Sequence, residues 1–407
     1  MVLRTIIKNT FFQTLTRVIS SGIAFLVTIL IARNYPVTTY GDFTKIISFV
    51  SLYYLFIDFG LNALFIQREH TLSHFRSLLS IRLLFALCFF VLAASIAFLL
   101  PFNPSQDIGF SPLVRLGIVV YALSFFSQAV LLSTTAVFQK RLAYEYLAVA
   151  TVVGSLVTIV FVGIGVFSHV PLPFLLLAMV LGSVSAAFSA LLLTRLSVIP
   201  LSVQWQFTKE LLVESWPLGG MLLFNLIYFR VDMILLSFLR PTAEVGVYGL
   251  AYRFFDFLIA LPLFLSNALY PYFIAARKKY TNTSFSTGKY LALFTLLSLP
   301  VMFFFWVFSP LIILVKSDYV SAILPFRVLL LSLPFFFATN ILQWLLIVAG
   351  QQRYLLKVYA TLAVINVVLN GMLIPTYSYL ASAVITGVCE GVVFFFLLWK
   401  IRAIKKT

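Results

Sequence analysis

Seven basic and five acidic side chains fall inside stretches that are otherwise apolar. They are Arg17, Lys45, Arg82, Arg115, Arg230, Arg253 and Arg327 against Asp58, Glu214, Asp232, Asp256 and Glu390. One stretch, "NLIYFRVDMILLSF" (225–238), carries Arg230 and Asp232 two residues apart. A charge held in hydrocarbon costs about 2.5–3.5 kcal/mol on insertion scales, so each of these groups needs a partner, water or a task. Three chemistries are open to them. An arginine fork grips a phosphate through parallel hydrogen bonds. A carboxyl without a counter-ion is costly to ionise in that setting and can carry a proton. Opposite charges at one depth can simply hold helices together. No nucleophile–base constellation or phosphate-binding glycine loop accompanies them. Cys88 and Cys389 fall in apolar stretches, and His70, His74 and His169 lie in or beside loops. No disulfide, metal or cofactor is therefore expected.

Composition says what must position these groups. Of 407 residues, 62% are hydrophobic and only 10% charged, and the mean hydropathy is +1.08. That is too little charge to coat a soluble body of this size. Runs of about 20 mainly apolar residues recur from end to end, each long enough to cross roughly 30 Å of hydrocarbon as a helix. They lack the short alternation of barrel strands. The expectation is an all-α polytopic membrane protein with twelve spans: 11–32, 43–66, 77–100, 113–136, 147–167, 172–194, 214–239, 250–275, 290–315, 322–349, 355–375 and 379–399. "SHVPL" (168–172) parts the fifth and sixth spans as a loop or a kink. The first span is too long for a signal-peptide core and reads as an anchor helix.

Basic residues set the orientation. With an inner N-terminus, the inner segments hold eighteen Lys and Arg and the outer loops only Arg33, Arg240 and Lys316. Both termini are expected in the cytoplasm. The net charge of +16 is mostly this topology. Its spread over many short segments speaks against nucleic-acid binding.

Depth suggests partners. Lys45, Arg115, Glu214, Arg253 and Arg327 lie within about two turns of a span end and can snorkel. Arg17, Asp58, Arg82, Arg230, Asp232, Asp256 and Glu390 are deeper. Arg17 and Asp58 each lie fifteen residues from the outer ends of adjoining spans, so a pair is feasible. Arg253 and Asp256, at i,i+3 on one helix face, can both meet Asp232. Arg230 and Asp232 point roughly 200° apart and cannot pair simply.

The two halves resemble each other. "ARNYPVTTYGDF" (32–43) and "LRPTAEVGVYGLAY" (239–252) each carry an Arg, a short turn and a Tyr-Gly: Tyr40–Gly41 and Tyr248–Gly249. "FQKRLAYEYLA" (138–148) and "GQQRYLLKVYA" (350–360) match Gln139 and Arg141 with Gln351 and Arg353. Two matches in register argue for a six-plus-six repeat. Its lobes would be 1–194 and 214–407, joined by a cytoplasmic linker at 195–213.

These segments, with "LFIDFGLNALFIQRE" (55–69), "VAGQQRYLLKVY" (348–359) and the long run from Phe229 to Lys279, resemble the bacterial polysaccharide flippases. Those are the O-antigen (Wzx-type) transporters of the multidrug/oligosaccharidyl-lipid/polysaccharide exporter superfamily. The resemblance spans essentially the whole chain and is strongest across the seventh and eighth spans. Lipid II flippases of that superfamily carry fourteen spans, against twelve here. "LIARNYPVTTYGDF" also lacks the usual Gly before its Pro.

The resemblance implies two six-helix lobes around a central cavity that opens alternately to either side. The implied substrate is a polyprenyl-pyrophosphate-linked oligosaccharide, moved from the cytoplasmic to the outer leaflet of the bacterial inner membrane. Membrane lipids and other polysaccharide-assembly membrane proteins are the implied partners. Arg17 and Arg82 would then meet the headgroup first, and Arg230, Arg253 and Arg327 would form a later station. Trp216, Tyr228, Tyr252 and Trp344 are candidates for sugar stacking. Asp58, Asp232, Asp256 and Glu390 would serve ion pairing or coupling. Glu390, between Gly387 and Gly391, is either a proton carrier or a neutral group at a close helix contact.

Two alternatives stand beside this reading. A multidrug exporter of the same superfamily would favour an acidic interior, and this one leans basic. A membrane oligosaccharide polymerase, an enzyme, would need a sizeable outer loop with catalytic side chains. The longest outer loop, "PFNPSQDIGFSP" (101–112), holds Asp107 and no Arg or His.

Overall fold

Backbone groups in lipid must be satisfied within their own segment, so the apolar runs form helices. The computed structural model describes residues 2–67, 71–197, 200–279 and 287–404. Arg68, His70, Lys405 and Lys406 lie outside the described residues, as do the side chains of Arg4, Lys8, Arg277, Lys278 and Lys279.

The order begins α1 (Val2–Asn34), α2 (Val37–Asp58), α3 (Leu61–Gln67) and α4 (Leu72–Leu99). A two-residue hairpin follows, β1 (Phe102–Asn103) with β2 (Ile108–Gly109). Then come α5 (Pro112–Ala122), α6 (Ser124–Lys140), α7 (Tyr144–Phe167), α8 (Leu172–Thr194) and α9 (Trp205–Leu239). The rest is α10 (Thr242–Lys279), α11 (Thr287–Phe308), two short 3-10 turns at Ser309–Leu314 and Ser317–Ala322, α12 (Ile323–Val348) and α13 (Gln352–Ile404).

Ten helical segments among the described residues are long and apolar enough to cross a membrane. One of them, α13, breaks at Ser378, where φ is 54°. Tyr354 Oη donates to Phe396 O at 3.0 Å and Ser382 Oγ to Asn370 Oδ1 at 2.8 Å. Those pairings make its two arms an antiparallel hairpin, hence two crossings. The remaining crossing is α2 with α3, less apolar because it carries Asp42, Lys45 and Asp58. This is a multi-pass, all-α membrane protein, with twelve crossings among the described residues. "SHVPL" resolves as a turn between α7 and α8, with His169 at φ 52°.

The chain forms two compact units, Met1–Leu226 and Ile227–Thr407, so the division falls inside α9. In unit 1 the segment before α9 is docked. Arg76 Nε donates to Ser197 O at 3.1 Å, Gln204 N donates to Ser77 Oγ at 2.9 Å, and the His74 ring stacks on Phe207 at 4.4 Å. Phe207 and Leu211 then join Leu61, Phe65, Phe75 and Leu78 in one buried cluster.

The α7–α8 hairpin of unit 1 depends on close approach. A Cβ added at Gly182 would sit 1.8 Å from Thr158 Oγ1 and 2.8 Å from Gly154 O. Gly182→Val is therefore expected to destabilise unit 1 by about 1–3 kcal/mol through overpacking. Gly163, with nothing within 4 Å of such a Cβ, is the control. Thermal unfolding in detergent should show a lower Tm for Gly182→Val and none of that loss for Gly163→Ala.

Candidate functional site

Unit 1 gathers its charge where α2 breaks. Phe59 (φ 43°) and Gly60 (φ 70°) leave the helical region, so α2 ends at Asp58 and α3 starts afresh at Leu61. Arg82, fully buried on α4, fills the space beside this break. Its Nε donates to Ile57 O at 3.2 Å and its Nη1 to Ser133 Oγ at 3.4 Å. Its Nη2 donates to Asp58 Oδ1 at 3.4 Å and to Asn62 Oδ1 at 2.8 Å. Asn62 in turn donates to Leu132 O. The guanidinium is committed to protein acceptors on three elements.

Arg17 and Asp58 share a level, yet they do not pair: Asp58 takes Arg82. The cause lies at the α1–α2 corner, where Tyr35 Oη donates to Val170 O at 2.7 Å and draws the corner to the α7–α8 turn. Accordingly α1 packs mainly on α7. Arg17, half-buried, has the Tyr144 hydroxyl as its electrostatic neighbour. It has no carboxylate partner among the described residues.

Lys45 and Arg115 reach the loop above them. Lys45 Nζ donates to Gly109 O at 2.6 Å, and Arg115 donates to Leu100 O at 2.6 Å and Phe110 O at 3.0 Å. Arg327 does the same task in unit 2. Its Nε donates to Ser309 Oγ at 2.8 Å across the turns before α12, and its guanidinium lies over Trp306. Residues 115 and 327 are 212 apart, the same offset as Gln139 and Gln351.

In unit 2 the group expected around Asp232 separates. Asp232 is buried and accepts from Tyr248 Oη at 2.7 Å and from Met233 N at 2.7 Å. Asp256 pairs instead with Arg230, Oδ2 to Nη2 at 3.1 Å, and the Arg230 guanidinium also lies over the Tyr252 ring. Arg253 has no partner among the described residues. Helix phase explains the difference. Tyr248 and Tyr252 occupy the buried face of α10, and Arg253 lies about 140° round the helix from Tyr248.

Glu390 is buried on the second arm of α13. Its Oε2 accepts from Tyr228 Oη at 2.9 Å, and its Oε1 accepts from the Thr339 hydroxyl. No cation joins it among the described residues. On the same arm Ser382 and Thr386 are buried at four-residue steps, and Asn366 and Asn370 bond to each other across one turn of the first arm. Tyr228 is thus a donor to Glu390, a role its aromatic character alone did not suggest. At the corner between α9 and α10, Arg240 pairs with Glu244 through two bonds of 2.8 and 2.9 Å, and that carboxylate raises the guanidinium above its ordinary range. Glu244 also accepts from Ser378 at the break of α13.

This geometry has known parallels. The structure is similar to that of lipid II flippase MurJ in its inward closed conformation, with a TM-score of 0.78 at 14% identity over 96% of this chain and 87% of that one. It is also similar to an inward-facing multidrug resistance MATE family transporter of the MOP superfamily, with a TM-score of 0.77 at 15% identity over 95% and 96% of the two chains. The outward-facing conformation of a MATE family transporter gives 0.66 at 15% identity, over 99% and 96%. No curated protein sequence matches the chain. Residues 217–372 match the MatE family, and residues 6–277, more than half the length, match the family described as Polysaccharide biosynthesis protein. The chain belongs to that polysaccharide biosynthesis protein family and has the fold of MOP-superfamily transporters.

Proposed function

We propose that the protein is a flippase for polyprenyl-pyrophosphate-linked oligosaccharide, the O-antigen or another surface-polysaccharide repeat unit. It works by alternating access in the bacterial inner membrane, with both termini cytoplasmic, carries substrate to the outer leaflet and draws on an ion gradient. It is not an enzyme. One observation carries the reading: Arg17 and Arg253, one per unit, are half-buried within crossings and have no carboxylate partner among the described residues. A cation kept in that setting without a counter-ion is matched by an anion that arrives, and a pyrophosphate suits the planar fork. Arg82, Arg230 and Arg327 have donors engaged within their own unit, so each braces its own unit rather than meeting the anion. Other polysaccharide-assembly membrane proteins are the partners that would consume the product.

Loss of a charged hydrogen bond to substrate corresponds to roughly tenfold or more in affinity. Arg17→Gln and Arg253→Gln are each expected to slow flipping of a labelled lipid-linked oligosaccharide in proteoliposomes about tenfold, with Tm unchanged. Wild-type flipping by both variants at equal reconstitution would overturn the reading. The match to the MatE family favours a second reading, a multidrug exporter; transport of a cationic dye in place of the glycolipid would select it.

A further inference from the structure

We propose that Asp58 and Trp216 form a sugar-binding subsite in unit 1, distinct in chemistry from the cations that meet the pyrophosphate. This rests on the reading of the substrate as a glycolipid. Asp58 is held through Oδ1 by Arg82, and its Oδ2 has no partner among the described residues. Its side chain is 36% exposed although that of Arg82 is fully buried. Here one oxygen is anchored and the other is presented, which is the arrangement that accepts hydrogen bonds from a ligand's hydroxyl or amide groups.

The second half of the subsite is an indole. Trp216 is 61% exposed, and its ring lies 5.9 Å from that of Phe59, the residue next to Asp58. Two glycines permit this approach. A Cβ on Gly219 would sit 3.0 Å from the Phe59 ring, and one on Gly60 would sit 3.0 Å from Leu218. Gly60, at φ 70°, also follows Phe59, at φ 43°, in the left-handed turn that ends α2 with Asp58 at its tip. A tryptophan that merely faced lipid would gain nothing from a half-open carboxylate one residue from its neighbour. A pyranose offers a partner to each kind of group: its C–H face covers an indole, and its equatorial hydroxyls donate to a carboxylate. Arg82 and Asn62 are positioning residues in this arrangement: they fix Asp58 and touch no ligand themselves.

The test compares two probes with full-length protein in lipid nanodiscs: undecaprenyl pyrophosphate carrying an N-acetylhexosamine-containing oligosaccharide, and sugar-free undecaprenyl pyrophosphate. Wild type should bind the glycosylated probe more tightly, with a change in tryptophan fluorescence that Trp216→Leu removes. Asp58→Asn and Trp216→Leu should each weaken the glycosylated probe about tenfold and leave the sugar-free probe unchanged. Trp216→Leu, at an exposed position, keeps the test alive where Asp58→Asn fails to fold, and Trp216→Tyr should restore most of the binding. If wild type binds the two probes alike, or the variants weaken both equally, the subsite is wrong and the flippase reading stands. If wild type binds neither probe, both fall.

Discussion

Arg82→Gln is expected to remove most folded protein from the membrane, and surface polysaccharide with it. The guanidinium satisfies Ile57 O, Ser133 Oγ, Asp58 Oδ1 and Asn62 Oδ1 at 2.8–3.4 Å from a position with no exposure. A glutamine is shorter, has two donors and carries no charge, so it leaves Asp58 without its counter-ion and a broken backbone segment without its brace. Removing one member of a fully buried ion pair costs about 3–5 kcal/mol, and the part-exposed Asp58 puts this pair at or below the lower end of that range. Arg82→Lys keeps the charge but offers a compact ammonium in place of a fork, so it can hold only part of this set and should give an intermediate yield. Fluorescence-detected size exclusion followed by thermal unfolding separates the cases. Arg82→Gln should lose its monodisperse peak, and Arg17→Gln, with no such partners, should keep it. An Arg82→Gln protein as stable as wild type but unable to transport would return Arg82 to direct contact with the headgroup.

Glu390→Gln is expected to abolish the response of transport to an imposed pH difference while leaving substrate binding intact. Both oxygens of Glu390 accept hydroxyl donors, from Tyr228 and Thr339, and no cation accompanies it among the described residues. Such a carboxyl changes its charge at the expense of two hydroxyl rotations and no broken ion pair. Glutamine matches its size and can still accept from Tyr228, but it cannot take up or release a proton. Proteoliposomes with an acidic exterior and a neutral lumen, and the reverse, read the response directly. Tyr228→Phe should weaken the response without removing it, since one acceptor–donor contact to the carboxyl remains. Undiminished gradient response in Glu390→Gln would make Glu390 a packing group. The role would then pass to Asp232, the other carboxyl that is buried among the described residues, which accepts from a hydroxyl and a backbone N–H.

Hydropathy fixed the crossings well because a twenty-residue apolar run has few alternatives in lipid, and Ser378 and the α7–α8 turn fall where short polar segments part them. Facing was harder to read. Depth along a helix places Arg17 and Asp58 at one level, but nothing in their spacing says that Tyr35 ties the corner to Val170 and turns α1 toward α7. Within α10, a three-residue spacing makes Arg253 and Asp256 neighbours without saying which side Tyr248 buries. The clamp at Arg327 was missed, although a signal for it existed: it stands 212 residues after Arg115, in register with the repeated glutamine and arginine. Asn62, four residues after Asp58, had the spacing of a helical neighbour, but the break at Phe59–Gly60 makes its alignment with Arg82 a matter of tertiary structure.

The hairpin within α13 has a consequence for how the protein is made. Its arms are joined by a break at Ser378, and they carry Asn366, Asn370, Ser382 and Glu390 on buried positions. An arm threaded alone into the bilayer would take an asparagine or a glutamate with it unshielded. Entered together, the arms satisfy Asn370 with Ser382 and close Tyr354 on Phe396 as they go in. During synthesis these two crossings therefore have reason to leave the translocation channel as one folded-back pair, after α12 has arrived with Thr339 to receive Glu390.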